Sequence, residues 1–298
     1  MIRILGTVFA GLLGLAFGSF LNVCLSRWPQ GESIVHPRSH CRQCDHTLAW
    51  WENVPLISWL VLRGRCRGCG AWIGWRYPLV ELAVGVLWGY STWQVLDSSM
   101  YPDFLPVFYY DGLVRIVGNF VLYWMLVALA MLDAENLWLP DRITLPGIAS
   151  GFLIVVLRGT LSAAMPIVDK SGSMKYAAER AALGCILAIA AGAVLMLLIR
   201  WIYWLVRRRE GLGLGDVKLM AMLGAWLGLP GALLAFGLGI VLGAVVAVCL
   251  LAAPRSYADA ASWALQKLPL GTFLCIGGIV SALWGQQIIA IYMRLIGF

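Results

Sequence analysis

Charge is what this sequence has least of. Only 12% of its 298 residues are Asp, Glu, Lys or Arg, while 61% are hydrophobic. Soluble domains carry about 25% charged residues, so an ordinary water-facing surface is excluded. Low-complexity segments and internal repeats are absent too, which excludes a disordered chain and a solenoid. There are three His and no His-Glu-x-x-His, which removes the helical zinc-hydrolase motif. The net charge of +7 does not point to nucleic acid, because the Lys and Arg cluster in short loops between apolar runs. That clustering is the positive-inside pattern of membrane proteins.

Long apolar runs are what the sequence has instead. About 20 such residues cross a hydrocarbon core of roughly 30 Å. Helices satisfy their own backbone hydrogen bonds there, as lipid cannot. Eight spans are read, at 4–25, 78–96, 113–133, 143–158, 181–205, 216–230, 231–253 and 271–294. The run from Val217 to Ala253 is continuous, and Gly228, Pro230 and Gly231 mark its natural break. The first run has Arg3 before it but continues through "GSFLNVCLSRWP" without a small-residue cleavage site, and is read as a span. The expectation is an all-α polytopic membrane protein of about eight transmembrane helices. Residues 1–25 form the first span, 26–77 a small loop domain and 78–298 a seven-span core. The Arg-rich 26–77 loop is expected on the cytoplasmic side, and the 97–112 loop on the other. The mixed charges of 159–179, placed outside by that count, fit less well.

Eight Cys do not make a disulfide framework here. Cys24, Cys185, Cys249 and Cys275 lie within apolar runs and read as small buried hydrophobes. The other four are arranged: "CRQC" (Cys41, Cys44) and "CRGC" (Cys66, Cys69) are separated by 21 residues. Two such pairs let four thiolates converge on Zn²⁺, and a loop too small for a core needs that staple. A redox pair is the alternative. A four-thiolate site is closed to water, so the metal is expected to be structural.

Acids at the ends of spans each need an account. Asp133 ends "YWMLVALAML", where a carboxylate opposes the macrodipole of its own helix. Asp141, after Pro140, reads as a turn or N-cap residue. Asp216 closes "GLGLGD" and is either an N-cap or a chemical group. Gly211, Gly213 and Gly215 before it do not form a phosphate loop, since no strand precedes them. Two acids on one membrane face suggest a proton-sharing pair, one activating water while the other protonates a carbonyl oxygen. The glycines then offer an edge against which an extended peptide can lie. Glu81, a turn inside the second span, is costly unless paired. Arg76 or Asn22 would be its structural partners; binding of substrate or methyl donor is the other reading.

At this point the motifs resemble the type IV prepilin peptidases, bacterial members of the GxGD intramembrane aspartic proteases that include presenilin. "FGSFLNVCLSRWP" (17–29), the Cys-rich 41–70 segment, "RYPLVE" (76–81), "MLDAENLWLPDRITLP" (131–146), "GLGLGDVKLMAMLGAW" (211–226) and "LPLGTFL" (268–274) follow the family in order. The resemblance implies that Asp133 and Asp216 are catalytic and that Asp141 is not. It implies cleavage of prepilins or pseudopilins after a Gly on the cytoplasmic side of the bacterial inner membrane. It also implies S-adenosylmethionine-dependent N-methylation of the new amino terminus, which the intact Cys tetrad and "NVP" (53–55) favour. Arg42 stands where the family often has Pro.

Two other classes compete. A proton- or ion-coupled transporter expects acids near span midplanes and a repeat. A zinc-ribbon scaffold without catalysis leaves Asp133 and the glycines without a reason.

Overall fold

The computed structural model of the chain describes residues 1–98, 106–163, 174–209, 213–252 and 268–296. Gly211 lies outside the described residues. Among them the long elements are all helical: α1 (Ile2–Arg27), the short α2 (Ile57–Val61), α3 (Arg76–Ser98), α4 (Pro106–Asn136), α5 (Asp141–Ala163), α6 (Met174–Arg207), α7 (Leu214–Ala252) and α8 (Leu270–Leu295). Isolated bridges His40–Thr47 and Arg65–Trp72 are the only extended pairings in the described residues.

Six of these helices are long and apolar enough to cross a membrane. The expected eight is approximate for two reasons. First, α3 has the length, 23 residues, but Glu81 and a polar patch at Ser91, Thr92 and Gln94 make it less apolar than the six. Second, α7 runs 39 residues, nearly 60 Å at about 1.5 Å per residue. It is broken at Gly228, whose φ of 68° belongs to the left-handed region, with Pro230 just after. The break falls where the sequence suggested. Apolar side chains such as Phe9, Leu12, Leu187, Trp201 and Val241 remain exposed along the helices, as lipid-facing positions do.

The chain forms two compact units, residues 1–128 and 129–298. In the first, α1 packs along α3. The approach is closest at Gly18, where a Cβ would lie 2.7 Å from Glu81 Cα. Small residues allow such backbone contact, the usual way helices associate in lipid. Trp88 of α3 stacks on Phe120 with centroids 4.1 Å apart. In the second unit α7 packs on α6 and α8, with α5 against both α6 and α7.

Candidate functional site

Asp133 lies in the last turn of α4, which ends where Leu137 adopts a φ of 51°. Its side chain is buried, 6% exposed. The carboxylate does not face the carbonyl end of its own helix unaided. Oδ2 accepts the Thr272 N–H at 2.7 Å and lies 3.2 Å from the Thr272 hydroxyl, which also reaches Ala130 O at 3.0 Å. The Gly271 N–H donates to the same carboxylate. Asp133 thus supplies a negative charge to the amino end of α8, satisfying N–H groups the helix cannot. The unfavourable end of its own helix is thus offset by the dipole of α8.

Asp216 stands third in α7 and is not its N-cap. Its carboxylate reaches back to the N–H of Gly213, the residue before the helix, as the acid of a capping box does. Leu139 packs on a glycine beside each acid. Its Cβ is 2.9 Å from where a Gly215 Cβ would sit, and its Cδ1 is 2.9 Å from where a Gly271 Cβ would sit. The Asp133 Oδ2 lies 2.9 Å from that same Gly271 position. The two acids, 83 positions apart, are close enough for their charges to interact. Beside them Lys218 Nζ holds Asp141 Oδ1 at 2.6 Å, so Asp141 is engaged in an ion pair at the start of α5.

The four cysteines form the second candidate site, within the first unit. Their sulfurs all lie within 4.8 Å of one another, with Cys41–Cys69 at 3.8 Å and Cys44–Cys66 at 3.9 Å. A tetrahedron with bonds of about 2.3 Å has edges of about 3.8 Å, so the group fits a zinc-sized ion. Two equivalent turns build it. Cys41 O accepts the Asp45 N–H at 2.9 Å, and Cys66 O accepts the Gly70 N–H at 2.8 Å. Asp45 (φ 55°) and Gly70 (φ 72°) make the same left-handed step after the second Cys of each pair. A backbone hydrogen bond at Gln43 is the main cause that brings the Cys41 thiol down to about 7. His46 stands beside the group, and its Nε2 meets Glu52 Oε2 at 3.1 Å. The Ala49 N–H, then His46 and Arg67, hold the Glu52 carboxyl below the usual range.

Two family models match parts of the chain. The Bacterial Peptidase A24 N-terminal domain matches residues 12–95, and the Type IV leader peptidase family matches residues 120–248. A prepilin leader peptidase/N-methyltransferase of Stutzerimonas stutzeri is 34% identical, over 95% of this chain and 92% of its own length. The chain belongs to the type IV leader peptidase family. Proteins of the same name from Pseudomonas putida (34% identical, 97% of this chain and 94% of the relative) and Pseudomonas aeruginosa (31%, 96% and 93%) agree. No solved structure matches the chain. A transporter finds no support.

In this leader peptidase the remaining expected residues fall as follows. Gly215 is helical and gives its space to Leu139, while Gly213 is exposed and open but for the Asp216 carboxylate. Glu81 is buried, 7% exposed. Its Oε2 accepts the Leu56 N–H at 2.8 Å, with Ser19 as a further donor, and Asn22 donates instead to Tyr77 O at 3.0 Å. Thr272 and Gly271 carried no expected role. Their signal was present in "LPLGTF", a Pro at the N-cap followed by Leu, Gly and Thr opening a helix, but nothing local said which carboxylate they would meet.

Proposed function

We propose that the chain cleaves the basic leader of type IV prepilins or pseudopilins with Asp133 and Asp216 as its aspartic dyad. One carboxylate takes a proton from water as it attacks the scissile carbonyl, and the other protonates the carbonyl oxygen. The observation that carries this reading is the convergence of two acids, 83 positions apart, around Leu139 and the amino end of α8. Gly211, Gly213 and Gly215, which precede Asp216 in the sequence, are the edge against which the extended leader lies. The site faces the cytoplasmic side of the bacterial inner membrane, with the Cys loop on the same side. The chain also N-methylates the new amino terminus, for which S-adenosylmethionine supplies the methyl group when bound. Cys41, Cys44, Cys66 and Cys69 hold a structural Zn²⁺, which staples a loop that has no core of its own.

The test is processing of a prepilin by Asp133→Asn and Asp216→Asn variants inserted at normal levels. Each is expected to lose leader removal by a factor on the order of 10²–10⁴ or more. Wild-type cleavage by either variant would rule out the dyad. Mass spectrometry of the mature pilin reads the second activity as one added methyl group.

A further inference from the structure

α2 belongs to the loop between two spans, yet its contacts set it at membrane depth. α3 is 23 residues long. At about 1.5 Å per residue that is about 35 Å, little more than a hydrocarbon core of roughly 30 Å. Glu81, in the second turn of α3, therefore stands at or inside the headgroup boundary. Its Oε2 accepts the N–H of Leu56, the residue before α2, at 2.8 Å. Farther along, Trp59 of α2 packs on Trp75 with ring centroids 4.5 Å apart. The Trp75 carbonyl in turn accepts the Leu79 N–H at the opening of α3. α2 is thus fixed at two levels beside the first turns of α3, where Leu79 and Leu82 are exposed as lipid-facing side chains are.

The outer side of α2 suits that place. Ile57, Leu60 and Val61, at i, i+3 and i+4, make one face and are 60%, 66% and 74% exposed, while Trp59 turns the other way. In water such a face is costly. In lipid the demand is instead that polar groups find partners within the chain. The groups that open α2 have them. The Leu56, Ile57 and Ser58 N–H groups, for which the helix has no acceptor, meet Glu81 Oε2, Pro55 O and Val54 O. The Ser58 hydroxyl returns to Val54 O at 2.7 Å, and the Trp59 ring N–H to Ile73 O at 3.0 Å. Beyond the helix come Arg63 and Arg65, both exposed, whose guanidinium groups have no hydrogen-bond or ion-pair partner among the described residues. An apolar face that ends in two such cations fits the boundary between acyl chains and phosphates.

We propose that α2 is an interfacial helix, seated in the bilayer that surrounds α1 and α3. Ile57, Leu60 and Val61 lie among the upper acyl chains, and Arg63 and Arg65 reach the lipid phosphates. Gly64 keeps the bend between them compact, since a Cβ there would press on the rings of Trp72 at 2.7 Å and Trp59 at 2.9 Å. Cys66 follows directly on Arg65, so the contact holds the Cys group against the membrane surface. A second copy of the chain, or an apolar stretch of a substrate, would meet the same face. Lipid is favoured because the exposed side of α3 continues into α2 at one level.

Photoactivatable phospholipids test it, in nanodiscs holding one copy of the full-length chain, with the diazirine either near the glycerol or at the acyl terminus. Adducts are mapped by mass spectrometry. The shallow probe should label residues 57–61 as heavily as Leu79 and Leu82, and several-fold above the turn 43–45. The deep probe should label Val86, also lipid-facing, and not α2. Leu60→Glu with Val61→Glu should cut the α2 label about tenfold or more, since each acid opposes immersion, while Leu79 and Leu82 keep theirs. Arg63→Ser with Arg65→Ser should lower it in phosphatidylglycerol; an unchanged label would overturn the phosphate contact. The wild-type pattern decides even where a variant does not fold. A wild-type α2 label no higher than that of 43–45, with Leu79 and Leu82 labelled, would overturn the proposal. So would loss of the α2 label when a second copy or a prepilin shares the disc, since the face would then belong to that protein.

Discussion

Asp133 combines an observed structural contact with a proposed chemical role. Its Oδ2 tethers the amino end of α8 through Thr272 and Gly271, and the same carboxylate is half of the proposed dyad. Tethering fixes where the acid points, and a misplacement of about 1 Å can cost on the order of 10²-fold in rate. Gly271 is the tightest point, because an added Cβ would press on both Asp133 Oδ2 and Leu139. Gly271→Ala should therefore lower prepilin cleavage by about 10- to 100-fold, more than it lowers the amount of inserted protein. Thr272→Val keeps the N–H bond and loses only the hydroxyl, which should cost about 1 kcal/mol in detergent melting, with Thr272→Ser restoring it. A kinetic assay of the three variants separates positioning from folding. The sequence marked Asp133 as anomalous; it could not name Thr272, 139 positions away, as the reason the anomaly is tolerated.

Among the elements, α7 is the one whose length alone demands an explanation. A straight helix of 39 residues would overrun the bilayer, and the break at Gly228 divides it. With φ at 68°, any L side chain there is strained. Gly228→Ala should destabilise the protein by about 1 kcal/mol or more, read as a lower melting midpoint in nanodiscs, while Gly237→Ala, with open space around its Cβ, should not. This break was legible because Gly and Pro punctuate a helix locally. The start of α7 was less so. Asp216 serves its first turn from the third position through Gly213, an arrangement that differs from the expected N-cap by where the helix begins. Gly215 likewise turned out to face Leu139, a residue of the α4–α5 connection.

For the molecule as a whole, the two units divide the proposed chemistry, with the Cys group in one and the acid pair in the other. Removing the metal tests that division. Cys66→Ser, or chelation of the purified protein, should take bound zinc from about one per chain to none and abolish methylation, with leader cleavage surviving longer. Metal content by plasma mass spectrometry, set beside both activities, decides; simultaneous loss of all three would mean that the ion holds the entire fold. The amino-acid sequence by itself determined the membrane class, the helical character of the spans, the grouping of the four thiols and the position of two acids at span ends. Run length, pair spacing and an acid at a span end are all local properties of a chain. Only the tertiary structure decided the partners: Asp133 with α8, Glu81 with the Leu56 N–H, and Leu139 with Gly215 and Gly271. Those contacts join segments far apart in sequence, and they exist only once the helices have packed and left each buried polar group one set of neighbours to choose from.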